Sequence, residues 1–368
     1  MTRGRRLLYW TILLGGLAVF AWGASVVARA TAGYLYVKKQ PPGWRGNVAR
    51  ADARLGFGPV PGSAGAEILP GGEREPVRFD DAGLRVPMEG SAPQAGPVVL
   101  AIGDSFTFGT GCRAEETYPA LVARARGGQA RNSGFPGFGL AQMLVRGREL
   151  LPRMRPDVVL VQASTWLPHR AARPLRRTGF GLLPVPYFAE GPGGRPTWRP
   201  PPFTSKLFDL PIARYRETDA RLGDWASFVG RVGFPLFLHD DARLMQLRVA
   251  RATGGLPGGA SDRAISDTVY AELARLSEES GARMFVVILE SAGKHALGPP
   301  DFALPPGERL VDTKPGLYAG ISGTDEDSYL RAYGHWRGSP PRMVDEHPNA
   351  RAHAIIAEQV LAAMASTP

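Results

Sequence analysis

Residues 96–365 read as an α/β domain, a parallel sheet covered by helices on both faces. Three unbroken apolar runs carry that reading, at 98–102 (VVLAI), 158–161 (VVLV) and 284–289 (MFVVIL). Short continuous apolar runs mark strands buried on both faces, the condition of a parallel sheet. Helical patterns separate the runs, as crossover connections require.

The chain begins with a different pattern. Arg3, Arg5 and Arg6 precede an uncharged run at 7–28 (LLYWTILLGGLAVFAWGASVVA). As a helix this run is about 33 Å long at ~1.5 Å per residue, and the hydrocarbon core of a bilayer is ~30 Å thick. Tyr9, Trp10 and Trp22 lie toward its ends, where amphipathic rings settle at the interface. The arginines hold the N-terminus in the cytoplasm and leave the rest outside. Small residues at Ala24 and at 28–30 offer the alternative of a cleaved signal peptide, but the run exceeds the usual signal core, which favours a retained anchor. The expected organisation is a cytoplasmic tip and anchor over 1–28, an extended Gly-, Pro- and Arg-rich lead-in over 29–95, and the α/β domain over 96–365.

Within that domain the first strand, 98–102, leads through a glycine-flanked turn to a helix at 117–126, with Thr117 as N-cap. A second strand at 129–132 precedes a helix at 140–153, whose Met143, Leu144, Leu150 and Leu151 share a face. The strand at 158–161 follows. Residues 168–263 then interrupt the alternation with two Pro-rich pieces and a helical segment around 225–247, an insertion expected to cover the site. A helix at 266–280, the strand at 284–289 and a closing helix at 349–364 complete the order.

Composition narrows the function. The 368 residues carry a net charge of +10, mostly as scattered arginine. There is no basic stripe with interleaved aromatics and no nucleic-acid reader motif, so nucleic acid is not an expected partner. A basic exterior suits anionic head groups or acidic polysaccharide. Cys112 is the single cysteine, which excludes an intrachain disulfide and a cysteine zinc cluster; it reads as a small buried residue. Phosphate-loop and dinucleotide fingerprints are absent, and neither a cofactor nor a metal is expected. Asp325, Glu326 and Asp327 read as a solvated loop, and His169 and Arg170 stand at the start of the insertion, where they either face the cleft or lie at the surface.

The chemistry-bearing residues fall in three blocks. Gly103-Asp104-Ser105-Phe106-Thr107-Phe108-Gly109 follows the first strand, so Ser105 stands at the mouth of the sheet on a tight turn with its backbone N–H available to an oxyanion. Near the other end, Asp345-Glu346-His347-Pro348-Asn349 precedes the last helix. A histidine can take the serine proton while a carboxylate fixes its far nitrogen. Between them, Asn132-Ser133-Gly134-Phe135-Pro136-Gly137-Phe138-Gly139 ends the second strand, with Gly137 a candidate for a second backbone donor.

In this order and spacing the blocks resemble the SGNH/GDSL hydrolases over roughly residues 50–365. The segments 55–62 (LGFGPVPG) and 79–85 (FDDAGLR) look like those preceding the catalytic domain of membrane-anchored bacterial members. The resemblance implies a three-layer α/β/α sandwich with a parallel sheet, Ser105 as nucleophile, His347 and Asp345 as its partners, and Gly137 in the oxyanion hole. It also shows a departure. The family carries an asparagine after the third strand, whereas this chain runs Gln162-Ala-Ser-Thr165-Trp166-Leu167. Thr165, whose short hydroxyl can rotate to donate, is favoured as the replacement over Trp166, whose ring suits a wall. The implied activity is ester hydrolysis through an acyl-serine on cell-envelope polysaccharide or lipid. Transfer of the acyl group to a sugar hydroxyl, and a non-catalytic envelope protein that lost the asparagine, are the alternatives.

Overall fold

The computed structural model describes residues 3–39, 42–70, 72–89, 96–178, 181–218, 220–255, 257–292, 301–304 and 307–366. The last residues of the lead-in, 90–95, lie outside the described set, as do short pieces of the insertion. The chain divides into two compact units. The larger comprises Pro42–Arg176, Pro184–Ser205 and Pro257–Pro368, and the smaller Met1–Pro41, Arg177–Leu183 and Lys206–Leu256.

A nine-stranded sheet forms the middle of the larger unit. In chain order its strands are β1 (Gly43–Arg45), β2 (Ala64–Ile68), β3 (Arg74–Phe79), β4 (Arg85–Val86), β5 (Val98–Ile102), β6 (Gln129–Asn132), β7 (Val158–Ala163), β8 (Arg283–Ile288) and β9 (Arg309–Asp312). Their spatial order is β1-β2-β3-β4-β6-β5-β7-β8-β9. The five strands from β5 onward pair in parallel. Side chains alternate along them because the strand period is two. Leu100 and Ile102 of β5 join Val159 and Val161 in one core, with Leu140, Leu144, Val269 and Leu273 from the helices Leu140–Met154 and Asp262–Glu279. Val99 and Ala101 join Val158 and Leu160 in the other, with Tyr118, Val122, Ile356 and Val360 from the helices Tyr118–Ala125 and Ala350–Ala365. Two helical layers thus sandwich the sheet, as expected for a three-layer fold.

The lead-in is more structured than its composition suggests. Strands β1 to β4 pair antiparallel with one another, and β4 meets β6 at Arg85 and Asn132. They cover an edge of β6 that would otherwise present unpaired backbone groups. Short strands rich in Gly, Pro and Arg carry little apolar periodicity, so this pairing is set by the available edge rather than by local pattern.

In the smaller unit the N-terminal helix runs from Arg3 to Lys38, ten residues beyond the uncharged run that ends at Ala28. Tertiary contacts explain the extension. Tyr34 and Val37 are buried with Tyr215, Phe228 and Val232, and Val26 and Ala30 with Val229 and Phe237. Arg29 pairs with Asp241 at 2.6 Å and Lys38 with Asp224 at 2.9 Å. The other half, from Leu7 to Phe20, leaves its large apolar side chains exposed. The helix is long and apolar enough to cross a membrane.

Candidate active site

The parallel strands in the order β6-β5-β7-β8-β9 reverse direction of progression beside β5, and open α/β sheets hold ligands outside the carboxyl ends of the strands at such a point. The chain leaving β5 turns sharply there. A Cβ on Gly103 would lie 2.1 Å from Thr107 Oγ1 and 2.5 Å from Gln162 Oε1, so only glycine fits. Asp104 then caps the short helix Ser105–Phe108, its Oδ1 accepting the Phe106 N–H at 3.0 Å. Ser105 becomes the first helical residue, whose N–H has no partner within the helix. Gly137 sits in the left-handed region at φ 85°. Among the described residues, the backbone N–H groups of Ser105 and Gly137 have no acceptor. Both residues line one cleft with His347, Asp345, Arg170 and Trp44.

The remote blocks meet in that cleft. The Ser105 hydroxyl donates to His347 Nε2 at 2.9 Å, and His347 Nδ1–H donates to Asp345 Oδ1 at 2.5 Å. The same oxygen accepts the His347 backbone N–H at 2.8 Å, which closes the Asp345-x-His347 loop on itself. Asn349 caps the helix Ala350–Ala365 by accepting the Ala352 N–H, so the histidine leaves the loop just ahead of a fixed helix start. The Phe106 ring packs 5.0 Å from the His347 ring and 5.0 Å from that of Trp166, centroid to centroid.

Electrostatics follow from that geometry. Burial opposes a charge on His347, but the Asp345 hydrogen bond and charge outweigh it and raise the imidazole above its ordinary value. Burial likewise opposes the Asp345 charge, and the His347 bond and charge overcome it and hold the carboxyl below the usual range. An imidazole so placed can take the serine proton while the carboxylate orients it.

Neither residue expected at the third donor position supplies one. The Thr165 N–H and hydroxyl donate to Glu290 Oε1 and Oε2 at 2.6 and 3.1 Å. The Trp166 indole N–H donates to Asp104 Oδ2 at 2.7 Å. Asp104 is fully buried and collects four donors: Phe106 N and Gln162 Nε2 on one oxygen, Trp166 Nε1 and Arg170 Nη1 on the other. Its place inside the Gly-Asp-Ser motif was the one available signal for this hub.

The cleft is also lined by two lead-in residues that sequence reasoning missed, Glu67 and Trp44. Glu67 of β2 lines it, buried, accepting from Thr110 Oγ1 at 2.9 Å and the Gly111 N–H at 3.1 Å; burial pushes its carboxyl up, against the pull of Arg85. One glutamate among several in a Gly-rich lead-in gives no sequence signal of that role. Trp44, also from the lead-in, stacks on Phe135 at 5.5 Å. Cys112 is buried, and burial drives its thiol up to about 12, consistent with an inert packing residue. His169 stands at the surface, 3.8 Å from Asp262.

No family model and no curated relative matches the sequence. Solved structures do resemble it. A lipolytic G-D-S-L family protein from Desulfitobacterium hafniense is 12% identical, covering 72% of this chain and 97% of its own, with a TM-score of 0.32. TesA is 13% identical over 73% of this chain and 97% of its own, at 0.31. A carbohydrate esterase family 2 enzyme with a carbohydrate-binding domain, from Corynascus thermopiles (Myceliophthora fergusii), is 15% identical over 88% and 91%, at 0.37. All three are under 25% identical to this chain, with TM-scores below 0.5. With a serine turn after the first parallel strand, a glycine loop after the second and Asp-x-His before the last helix meeting in one cleft, the chain is SGNH/GDSL-like in motif order and in fold.

Proposed function

We propose that this protein is a serine esterase of the cell envelope, held in the cytoplasmic membrane by its N-terminal helix with the α/β domain outside. It acts on ester-linked acyl groups of polysaccharide or lipid. The observation that carries the reading is the continuous chain of hydrogen bonds from Ser105 through His347 to Asp345, set beside unpaired N–H groups of Ser105 and Gly137.

In the acylation step Ser105 Oγ bonds to the ester carbonyl carbon while its proton passes to His347 Nε2. The carbonyl π pair moves onto oxygen, where the N–H groups stabilise it. As the intermediate collapses, the C–O bond to the leaving alcohol breaks and His347 returns the proton to that alcohol. Water, deprotonated by His347, then releases the acid. A sugar hydroxyl in place of water gives transfer through the same acyl-serine. The aligned triad weighs against the non-catalytic alternative, because nothing in a packing role requires a buried serine and a part-buried His–Asp pair in this alignment.

The test is labelling of the full chain in detergent or nanodiscs by a fluorophosphonate, with the modified peptide identified by mass spectrometry, alongside ester hydrolysis. Labelling confined to Ser105 and lost in Ser105→Ala is expected. Parent protein indistinguishable from Ser105→Ala in labelling and in hydrolysis would sink the enzymatic reading.

A further inference from the structure

Where a third oxyanion donor is expected, the chain has no asparagine, and the two residues at that place are engaged elsewhere. The cleft does hold another donor. Arg170, in the helix Trp166–Ala171 one turn beyond Trp166, lines the same cleft as Ser105, Gly137 and His347. Its Nη1 donates to Asp104 Oδ2 at 2.7 Å and to the Phe138 carbonyl at 3.0 Å. Its guanidinium carbon lies 5.8 Å from the Trp166 ring centroid. These contacts fix the plane of the group. Among the described residues, Nε and Nη2 have no hydrogen-bond partner, and the side chain keeps 27% of its surface exposed.

We propose that Arg170 is the missing third donor: Nη2 or Nε donates to the oxyanion that forms when Ser105 attacks the ester carbonyl. This rests on the esterase reading above and adds a residue to it. Three features support the role. A guanidinium forms charge-assisted bonds about twice as strong as neutral ones. The partner that fixes it, Asp104, directly precedes the nucleophile, so the turn that sets the serine also sets the arginine. Phe138, whose carbonyl Arg170 bonds, follows Gly137 directly, and Arg176 bonds the Gly137 carbonyl, so two guanidiniums hold the loop that offers the second N–H. The net charge of the hole differs from that made by an amide side chain. Asp104 offsets the resting charge, and the developing oxyanion is what the remaining N–H groups meet.

The other role for a cationic side chain here is to anchor an anionic group of the substrate, and the choice of ester separates the two. With p-nitrophenyl acetate, which carries no such group, Arg170→Ala is expected to lower kcat by about 100- to 1,000-fold, the usual loss for one oxyanion donor, with KM within a few-fold. Arg170→Lys, which keeps the charge beside Asp104, is expected to recover only part of that, and guanidinium chloride at millimolar concentration to restore part of the Arg170→Ala rate. A kcat for Arg170→Ala within about threefold of the parent overturns the proposal. So does full kcat in Arg170→Lys with no guanidinium rescue of Arg170→Ala, which would mark the arginine as a counter-charge for Asp104. A loss confined to KM on esters carrying a carboxylate overturns it in favour of substrate anchoring. Fluorophosphonate labelling of parent Ser105 is run in parallel: an unlabelled parent overturns the esterase reading and this proposal with it, whereas a labelled parent beside an undiminished Arg170→Ala overturns this proposal alone.

Discussion

Thr165 and Glu290 are joined twice, by the threonine N–H at 2.6 Å and by its hydroxyl at 3.1 Å, across 125 residues of sequence. Glu290 is buried just after β8 and Thr165 just after β7, so the pair clamps the ends of two neighbouring strands. The hydroxyl favoured as an oxyanion donor is therefore a structural donor to a buried carboxylate. Thr165→Val removes one donor from Glu290 and is expected to cost about 1–3 kcal/mol of stability, with kcat/KM per folded molecule within a few-fold of the parent. Denaturant unfolding and active-site titration measure the two effects. A hundredfold loss of turnover in a normally stable variant would return Thr165 to the oxyanion hole.

The Asp345–His347 bond sets the pH profile. In the proposed mechanism deprotonated His347 is the base, so kcat/KM is expected to rise with pH through the His347 pKa. Asp345 raises that pKa, which places the ascending limb above the ordinary imidazole value of about 6.5. Asp345→Asn removes the main raising charge and leaves burial opposed only by the smaller pulls of Glu67 and Asp104, so the limb moves to lower pH, while kcat falls by about three to four orders of magnitude. An ascending limb at the same pH in both proteins would separate the profile from His347.

The wall of the cleft that comes from the lead-in predicts acyl preference. Trp44, Ile68 and Leu69 line it beside Ser105, with Trp44 braced on Phe135. Trp44→Ala opens space on that side. The ratio of kcat/KM for octanoyl over acetyl p-nitrophenyl esters is expected to rise several-fold. An unchanged ratio across the chain-length series would place the acyl group elsewhere.

The proposed topology rests on the exposed apolar half of the N-terminal helix and the arginines before it. An alkaline phosphatase fused after Pro368 is expected to be active, and the N-terminal peptide to remain on the mature protein by mass spectrometry. An inactive fusion would reverse the orientation, and a shortened soluble form would mean a cleaved leader.

Acid sensitivity has a specific source in His353. Burial drives its imidazole down to about 3, with Arg85 adding to the shift, while its Nδ1 accepts the Tyr118 N–H. Between the unfolded value of about 6.5 and that folded value, the unfolded chain binds a proton the folded chain refuses. Stability from this group is therefore lost as pH falls through that window. Melting temperature is expected to drop from pH 7 to pH 4, and His353→Gln, which keeps an acceptor for Tyr118, to drop less over the same range. An equal drop in both would assign the effect to other groups.

By itself the sequence determined the buried strands at 98–102, 158–161 and 284–289, the flanking helices and the order of the serine, glycine and histidine blocks. Those features are local: apolar runs, helical periodicity and glycine-bearing turns write themselves into a few consecutive residues. Tertiary structure alone decided that the lead-in strands extend the sheet, because their short polar sequences take their conformation from the free edge of β6. It also decided which donors in the cleft are spare. Thr165, Trp166 and Arg170 each carry an N–H or O–H that could donate to an oxyanion. What separates them is occupancy: the Thr165 hydroxyl and the Trp166 indole N–H are taken by Glu290 and Asp104, 125 and 62 residues away, whereas Arg170 meets Asp104, 66 residues away, through Nη1 and, among the described residues, keeps Nε and Nη2. A hydrogen-bonding group has one use at a time, and which use wins depends on what the fold brings within 3 Å of it.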